Sequence, residues 1–254
     1  MTNLRDALQA ILDAVYGDSI PHTIIIGGPV YQVAKQHLNE WHGGFAVAAL
    51  MVITTFFSHD PDFHDTEQHA EFTAAMVKKN QFLFMHNPGV DRKGWTGMWW
   101  SPFILQSFTS HSQFTKGHIK VPELGSKQTS AQTAFALASA AVYHTLTLVA
   151  NKNITFKSIV AGKSQKCSGV VTDGDSAVWE LSIPKGTQYE FNEAMWSAKT
   201  RVFLEPIMAL SDNNFAMIVD EAQAFVKGGK GAMNSAASDD EDEDEDIQDL
   251  FTFR

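Results

Sequence analysis

The sequence predicts a mainly α-helical single domain with a small β-hairpin, followed by a disordered acidic C-terminal tail. Three observations predict it. Apolar residues recur at three-and-four spacing in some six segments, most of them bounded by residues that start or stop helices. The 254 residues are 44% hydrophobic and 19% charged, which is enough apolar content for a sizeable core. The charge is also segregated. Residues 239–246 read DDEDEDED, and with Asp249 they oppose only Arg254, so the segment 238–254 carries −8 of the net −10. The rest holds 18 bases and 20 acids, a net of −2. The domain is expected over residues 1–228, with a linker and tail over 229–254.

Each element has its own signature. Leu4, Ala7, Leu8, Ile11, Leu12 and Val15 form one helical stripe that Gly17 ends. Pro29 suits the first turn of a second helix, whose face continues through Val33, His37, Leu38 and Trp41. Gly43 and Gly44 are expected to break or bend the chain before the apolar run Phe45 to Phe57. That run is too uniformly hydrophobic for a surface helix and reads as a central core helix. A further helix starts near Asp65 or Thr66, carrying Phe72 and Met76 inward. Asn87, Pro88, Gly89, Gly94 and Gly97 mark a long loop. Ser101 and Pro102 then give a cap and a first-turn proline for a helix through Ile104, Phe108 and Phe114.

From Thr129 or Ser130 to Ala150 an alanine-rich pattern predicts a long buried helix. Val170, Val171, Asp173, Gly174 and the alternating Val178, Trp179, Leu181 and Ile183 suit a hairpin near 170–183. Thr187 with Glu190 has capping-box spacing for a helix that Pro206 closes, and Ser211 caps the last one before Gly228 and Gly229.

Composition excludes several classes. A single cysteine, Cys167, leaves no internal disulfide and no thiolate zinc knuckle, and it suits a reducing compartment. The N-terminus has no basic segment leading into an apolar run, so neither a secretory signal nor a presequence is read. The protein is expected inside the cell, in cytoplasm or nucleus. The longest apolar run has 13 residues against the roughly 20 of a bilayer span, so no membrane association is expected. A nearly neutral body offers no basic face for phosphate backbones, and no direct nucleic-acid binding is predicted.

Three features point to chemistry. The densest group of ligand types is His59, Asp60, Asp62, His64, Asp65, Glu67 and His69. A divalent metal around His59, Asp62 and His64 would make the protein a metal-dependent enzyme. The histidines are five apart, however, which places them roughly 140° from one another on a helix rather than on one face. Acids at a helix start also complement its dipole. Trp95, Trp99 and Trp100 lie among Gly94, Gly97 and Met98 in a loop, where they either line a small-ligand pocket or anchor the loop to the core. AGKS at 161–164 resembles the end of a phosphate-binding loop, but Lys157 stands where its first glycine belongs. No cofactor is expected.

The tail is the most specific feature. Eight contiguous acids repel one another and stay solvated, and directly after them come Ile247, Leu250, Phe251 and Phe253, with Asp249 among them. Acidic and hydrophobic alternation is typical of disordered segments that fold on a protein partner. Ser238, followed by acids, suits an acid-directed kinase. The sequence therefore reads first as a non-enzymatic interaction module whose tail binds a basic or chromatin-associated protein.

Between Gln81 and Gly169 the chain also resembles a known pattern. The order is QFLFMHNPG, then GMWWSPFILQSFTSHSQF, then TAFALASAAVYHTLTL, then NKNITFKSIVAG. It is similar to an uncharacterised helical domain family abundant in basidiomycete fungi, the match resting on Gly97, Trp100, Pro102, Ile104, Phe114, Ala138, Ala141 and Phe156. The resemblance implies a helical domain in a fungal intracellular protein, and it implies no catalytic residue.

Overall fold

The computed structural model describes residues 4–19, 22–59, 63, 65–89, 91–115, 131–159 and 178–233. It is mainly helical, with α1 (Leu4–Tyr16), α2 (Pro29–His59), α3 (Thr66–Val77), α4 (Pro102–Thr115), α5 (Gln132–Ala150), α6 (Glu193–Met208) and α7 (Asp212–Met233). Two short antiparallel sheets interrupt them. One pairs β1 (Phe84–His86) with β2 (Thr96–Met98), and the other pairs β3 (Thr155–Ile159) with β4 (Val178–Ser182).

The core is built around α5. This helix carries no charged residue and is buried on nearly every side, because α2, α3, α4 and α6 all pack against it. Its small residues Ala134, Ala136, Ala138, Ala140 and Ala141 let those neighbours approach closely, while Phe135, Leu137, Leu146 and Val149 fill the space between them. From α2 the buried residues are Phe45, Ala49, Ile53 and Phe57, a four-residue repeat that makes one stripe. α4 runs antiparallel to α2, since Phe103 at its start meets Phe56 and His111 near its end meets Trp41.

Several sequence expectations need correction. α2 is continuous through Gly43 and Gly44, without a break. A Cβ on Gly44 would lie 3.1 Å from the Phe114 ring, so the glycine there provides room for α4 to cross. Pro206 does not close α6, which runs on to Met208. It begins at Glu193 rather than near Thr187, capped by Asn192, whose side chain accepts from the Met195 amide. α7 passes through Gly228 and Gly229 to Met233, although these glycines were expected to follow the helix. Glycine inside a helix costs about 1 kcal/mol relative to alanine and does not by itself stop one. Val178 to Ser182 do form a strand, but their partner is Thr155–Ile159 rather than the expected residues near 170, which lie outside the described residues.

The loop between α3 and α4 also folds more than its composition suggests. Phe84 pairs with Met98 and His86 with Thr96 across a hairpin. Gly97 sits at φ +69° with Met85 Cβ only 2.7 Å from where a side chain would begin, so both backbone and space require glycine there. Elsewhere the caps behave as read. Asp65 and Gln68 form a reciprocal capping box at the start of α3, and the Ser211 hydroxyl accepts from the Asn214 amide at the start of α7.

By length and composition α2 and α5 are each long and apolar enough to cross a membrane, and the bent pair Met195–Met208 with Asp212–Phe225 makes a third such unit. Continuity through Gly43 and Gly44 is what the 13-residue run did not reveal. The apolar window of α5 is 72% buried inside the fold and that of α2 is 22% buried.

Candidate functional site

The residues of the His and Asp cluster separate. His59 ends α2 on the surface, where its Nδ1 lies 2.9 Å from the Thr55 carbonyl oxygen and 3.1 Å from the Ser58 hydroxyl. Asp65 is committed to the α3 cap, and Glu67 pairs with Lys152 just beyond α5. His69 faces inward and is 1% exposed, with its ring 4.2 Å from the Phe57 ring and 5.6 Å from that of Phe156. Burial holds its pKa below the ordinary histidine value, against the raising effects of the Phe63 backbone and Asp65. Asp60, Asp62 and His64 lie outside the described residues. Among the described residues no group of three histidine, cysteine or acidic side chains converges as a metal site.

The tryptophans of the 95–100 loop pack down. Trp95 and Trp99 are buried, at 7% and 3% exposure, and Trp100 is partly buried against the core. Trp95 donates its indole N–H to the Gly89 carbonyl and lies 5.3 Å from the Phe84 ring. Trp99 adopts a left-handed backbone, φ +74°, donates its amide to the Leu83 carbonyl at 2.7 Å, and meets the rings of Phe135 and Phe203. A bulky residue holds that conformation only where its surroundings fix it, and here the aromatic core does so. These rings serve as anchors between the hairpin, α5 and α6.

Sequence reasoning did not single out the half-buried histidines that join helices. Trp41 of α2 donates its indole N–H to Nδ1 of His111 on α4 at 3.2 Å, which fixes His111 as an acceptor at that nitrogen. Next to it, His42 packs on Trp196 of α6 at 4.7 Å, and His144 of α5 bonds the Tyr189 carbonyl through Nε2 at 3.0 Å. Burial holds all three below the ordinary histidine pKa. Glu193 partly counters it at His42, and the Tyr189 carbonyl does so at His144. Only His42, which follows Trp41 on a predicted apolar face, carried a local signal, whereas His111 stands between two serines and His144 between Tyr143 and Thr145. Neutral histidines in such settings act as polar linkers within a core, and their geometry is one of packing rather than of nucleophile and base.

Ile247, Leu250, Phe251 and Phe253, expected to bind a partner, Ser238, expected as a kinase substrate, and also Cys167 lie outside the described residues. The more open surface is at the other end of the chain. α1 buries no residue completely, and Ile25, Ile26, Val30 and Val33 are exposed beside it. Comparison with known protein families, with curated proteins and with solved structures gives no match.

Proposed function

We propose that the protein is a non-enzymatic interaction module in which a helical body carries an acidic, aromatic tail that binds a protein partner. One observation carries this reading: −8 of the net −10 charge, together with Ile247, Leu250, Phe251 and Phe253, is concentrated in the last 17 residues. Such a segment attracts a basic surface at long range and offers apolar anchors at short range, which suits a histone-like or other basic partner. The body adds support, because Trp95, Trp99 and His69 are used in packing and their polar atoms are not assembled around a reactive centre. α2 is read as a core helix, since its stripe Phe45, Ala49, Ile53 and Phe57 faces α4 and α5, and the module is read as intracellular, in cytoplasm or nucleus.

The reading also places the chain with the basidiomycete helical family that Gln81 to Gly169 resembles. In its favour, Pro102 opens α4, and Ile104, Ala138, Ala141 and Phe156 are all buried, as residues shared for packing reasons need to be.

The experiment is binding of purified core histones, as a basic probe, to the full chain and to a chain ending at Ala237. A second variant, Leu250→Ala with Phe251→Ala and Phe253→Ala, keeps every acid. Loss of binding on truncation and weakening with the triple variant are expected. Equal binding by all three forms would remove the tail from the proposal.

A further inference from the structure

The stretch between α1 and α2 is a β-type edge held from one side. Gln9 of α1 uses both ends of its side-chain amide on it. The Ile24 amide donates to Gln9 Oε1 at 2.7 Å, and Gln9 Nε2 donates to the His22 carbonyl at 3.1 Å. Arg5 Nε donates to the Ile24 carbonyl at 3.3 Å. Bonds to residues two apart on one edge are the pattern of an extended strand, with the Gln9 amide standing where a neighbouring strand's peptide would stand. The amides of Thr23 and Ile25 therefore face the opposite edge, and among the described residues neither has a hydrogen-bond partner. The strand then closes in a turn, where the Gly28 amide donates to the Ile25 carbonyl at 2.9 Å and Gly27 takes φ +83°.

This edge lacks the devices that keep edges apart. Proteins blunt an unpaired strand with lysine, proline or a covering element, yet the stretch His22 to Gly28 contains no charged residue and no proline. It contains Thr23 followed by three isoleucines, residues suited to a pleated strand. Ile24 is buried, whereas Ile25 and Ile26 are each 68% exposed. Val30, which lines one shallow hollow with Ile25, and Val33 are exposed as well, so the strand continues into the apolar start of α2.

We propose that this edge is a self-association surface, and that a second copy of the chain pairs with it antiparallel through residues 22–26. The charges favour a second copy over other occupants. Next to the strand Arg5 is paired with Asp6 at 2.9 Å, and residues 22–28 include no acidic or basic side chain other than His22, so two such edges do not repel, and a strongly charged partner gains nothing there. Pairing about Ile24 sets Thr23 of one copy opposite Ile25 of the other. The Ile25 N–H of each copy then donates to the Thr23 carbonyl of the second, and the Thr23 N–H groups are satisfied in return. The two-fold arrangement closes on itself as a dimer.

The test is sedimentation of the full chain over a range of concentrations, with hydrogen exchange on the same samples. A dimer of twice the 28.0 kDa chain mass is expected, with exchange of residues 22–26 slowing as concentration rises. Ile25→Pro and Thr23→Pro each remove an amide that the single chain does not use. Each is expected to abolish the dimer while leaving helical circular dichroism unchanged. A monomer at every concentration overturns the proposal, as does a dimer whose 22–26 exchange does not depend on concentration. A monomer with slow exchange there that Phe251→Asp with Phe253→Asp makes fast also overturns it, and assigns the edge to the chain's own C-terminal segment.

Discussion

The indole of Trp41 donates to Nδ1 of His111 at 3.2 Å, joining α2 to α4 across 70 residues of sequence. The bond requires a neutral imidazole at that nitrogen, and His111 is stacked on Phe108 and, more distantly, on Phe45, in surroundings that disfavour charge. Protonation would replace the acceptor with a second donor facing the indole N–H.

Acid is therefore expected to destabilise the fold through its histidines. Burial holds His42, His69, His111 and His144 below the ordinary value of 6.5. The unfolded chain takes up protons as pH falls through 6.5 while the folded chain still resists them. Stability from these groups is complete above about 6.5 and is lost as pH falls from there through the lowered folded values. Thermal melts should give a lower Tm at pH 5 than at pH 7.5, by about 2–4 °C for each kcal/mol lost. His111→Gln keeps an acceptor for the indole and does not titrate, so its Tm should depend less steeply on pH. An identical slope in the variant would remove His111 from the account.

Backbone handedness gives a matched pair of predictions. Gly97→Ala places a Cβ at φ +69° and 2.7 Å from Met85 Cβ, so it should cost more than the 1–2 kcal/mol of left-handed strain alone. Lys79→Gly works in the opposite sense, because Lys79 and Asn80 both hold left-handed angles, φ 58° and 56°, where α3 passes into the hairpin. Releasing one of them should stabilise by about 0.5–1 kcal/mol, less whatever freedom the glycine adds to the unfolded chain. Urea midpoints of the two variants against the natural chain measure both.

The aromatic core around α2 sets the largest expected loss. Phe57 is 1% exposed and touches Phe56, Phe63, Phe72, His69 and Phe156, so it ties α2 to α3 and to the strand after α5. Phe57→Ala leaves a cavity bounded by rings that cannot easily collapse, and a cost of about 3–5 kcal/mol is expected. Phe114→Ala is the comparison, since Phe114 is 46% exposed and only its ring edge meets Gly44. Its loss should be below about 1 kcal/mol, measured in the same denaturant series.

These cases show where the sequence was readable. The helices α3, α4 and α7 begin as local signals predict, because the Asp65 and Ser211 caps and the first-turn Pro102 act within one turn, whereas α5 starts at Gln132 behind Ala131, which gives no side-chain cap. The errors arise where the deciding partner is distant. Gly44 reads as a breaker until Phe114, 70 positions later, is seen to need its space. Val178 to Ser182 read as half of a local hairpin although their partner begins at Thr155. The candidate sites divide for the same reason. Spacing already argued that successive histidines of the cluster do not share a face, and the structure sends His59 to the surface and His69 into the core. The Trp41–His111 and His42–Trp196 contacts join different helices, so no local pattern announces them.

The tryptophan loop yields the last prediction. If Trp95 and Trp99 anchor the hairpin to α5 and α6, they are shielded from solvent in the free protein, and ligand binding is not what buries them. Substituting Trp41, Trp100, Trp179 and Trp196 by phenylalanine leaves these two as the only emitters. Provided the variant still folds by circular dichroism, its emission should be blue-shifted and resist iodide quenching without any added ligand. Unfolding in urea should bring both to the red-shifted, quenchable state together with loss of helix, because the rings pack on the helical core itself. Free access of iodide to the folded variant would instead mean an open aromatic pocket, and would return Trp95 and Trp99 to the role of ligand contacts.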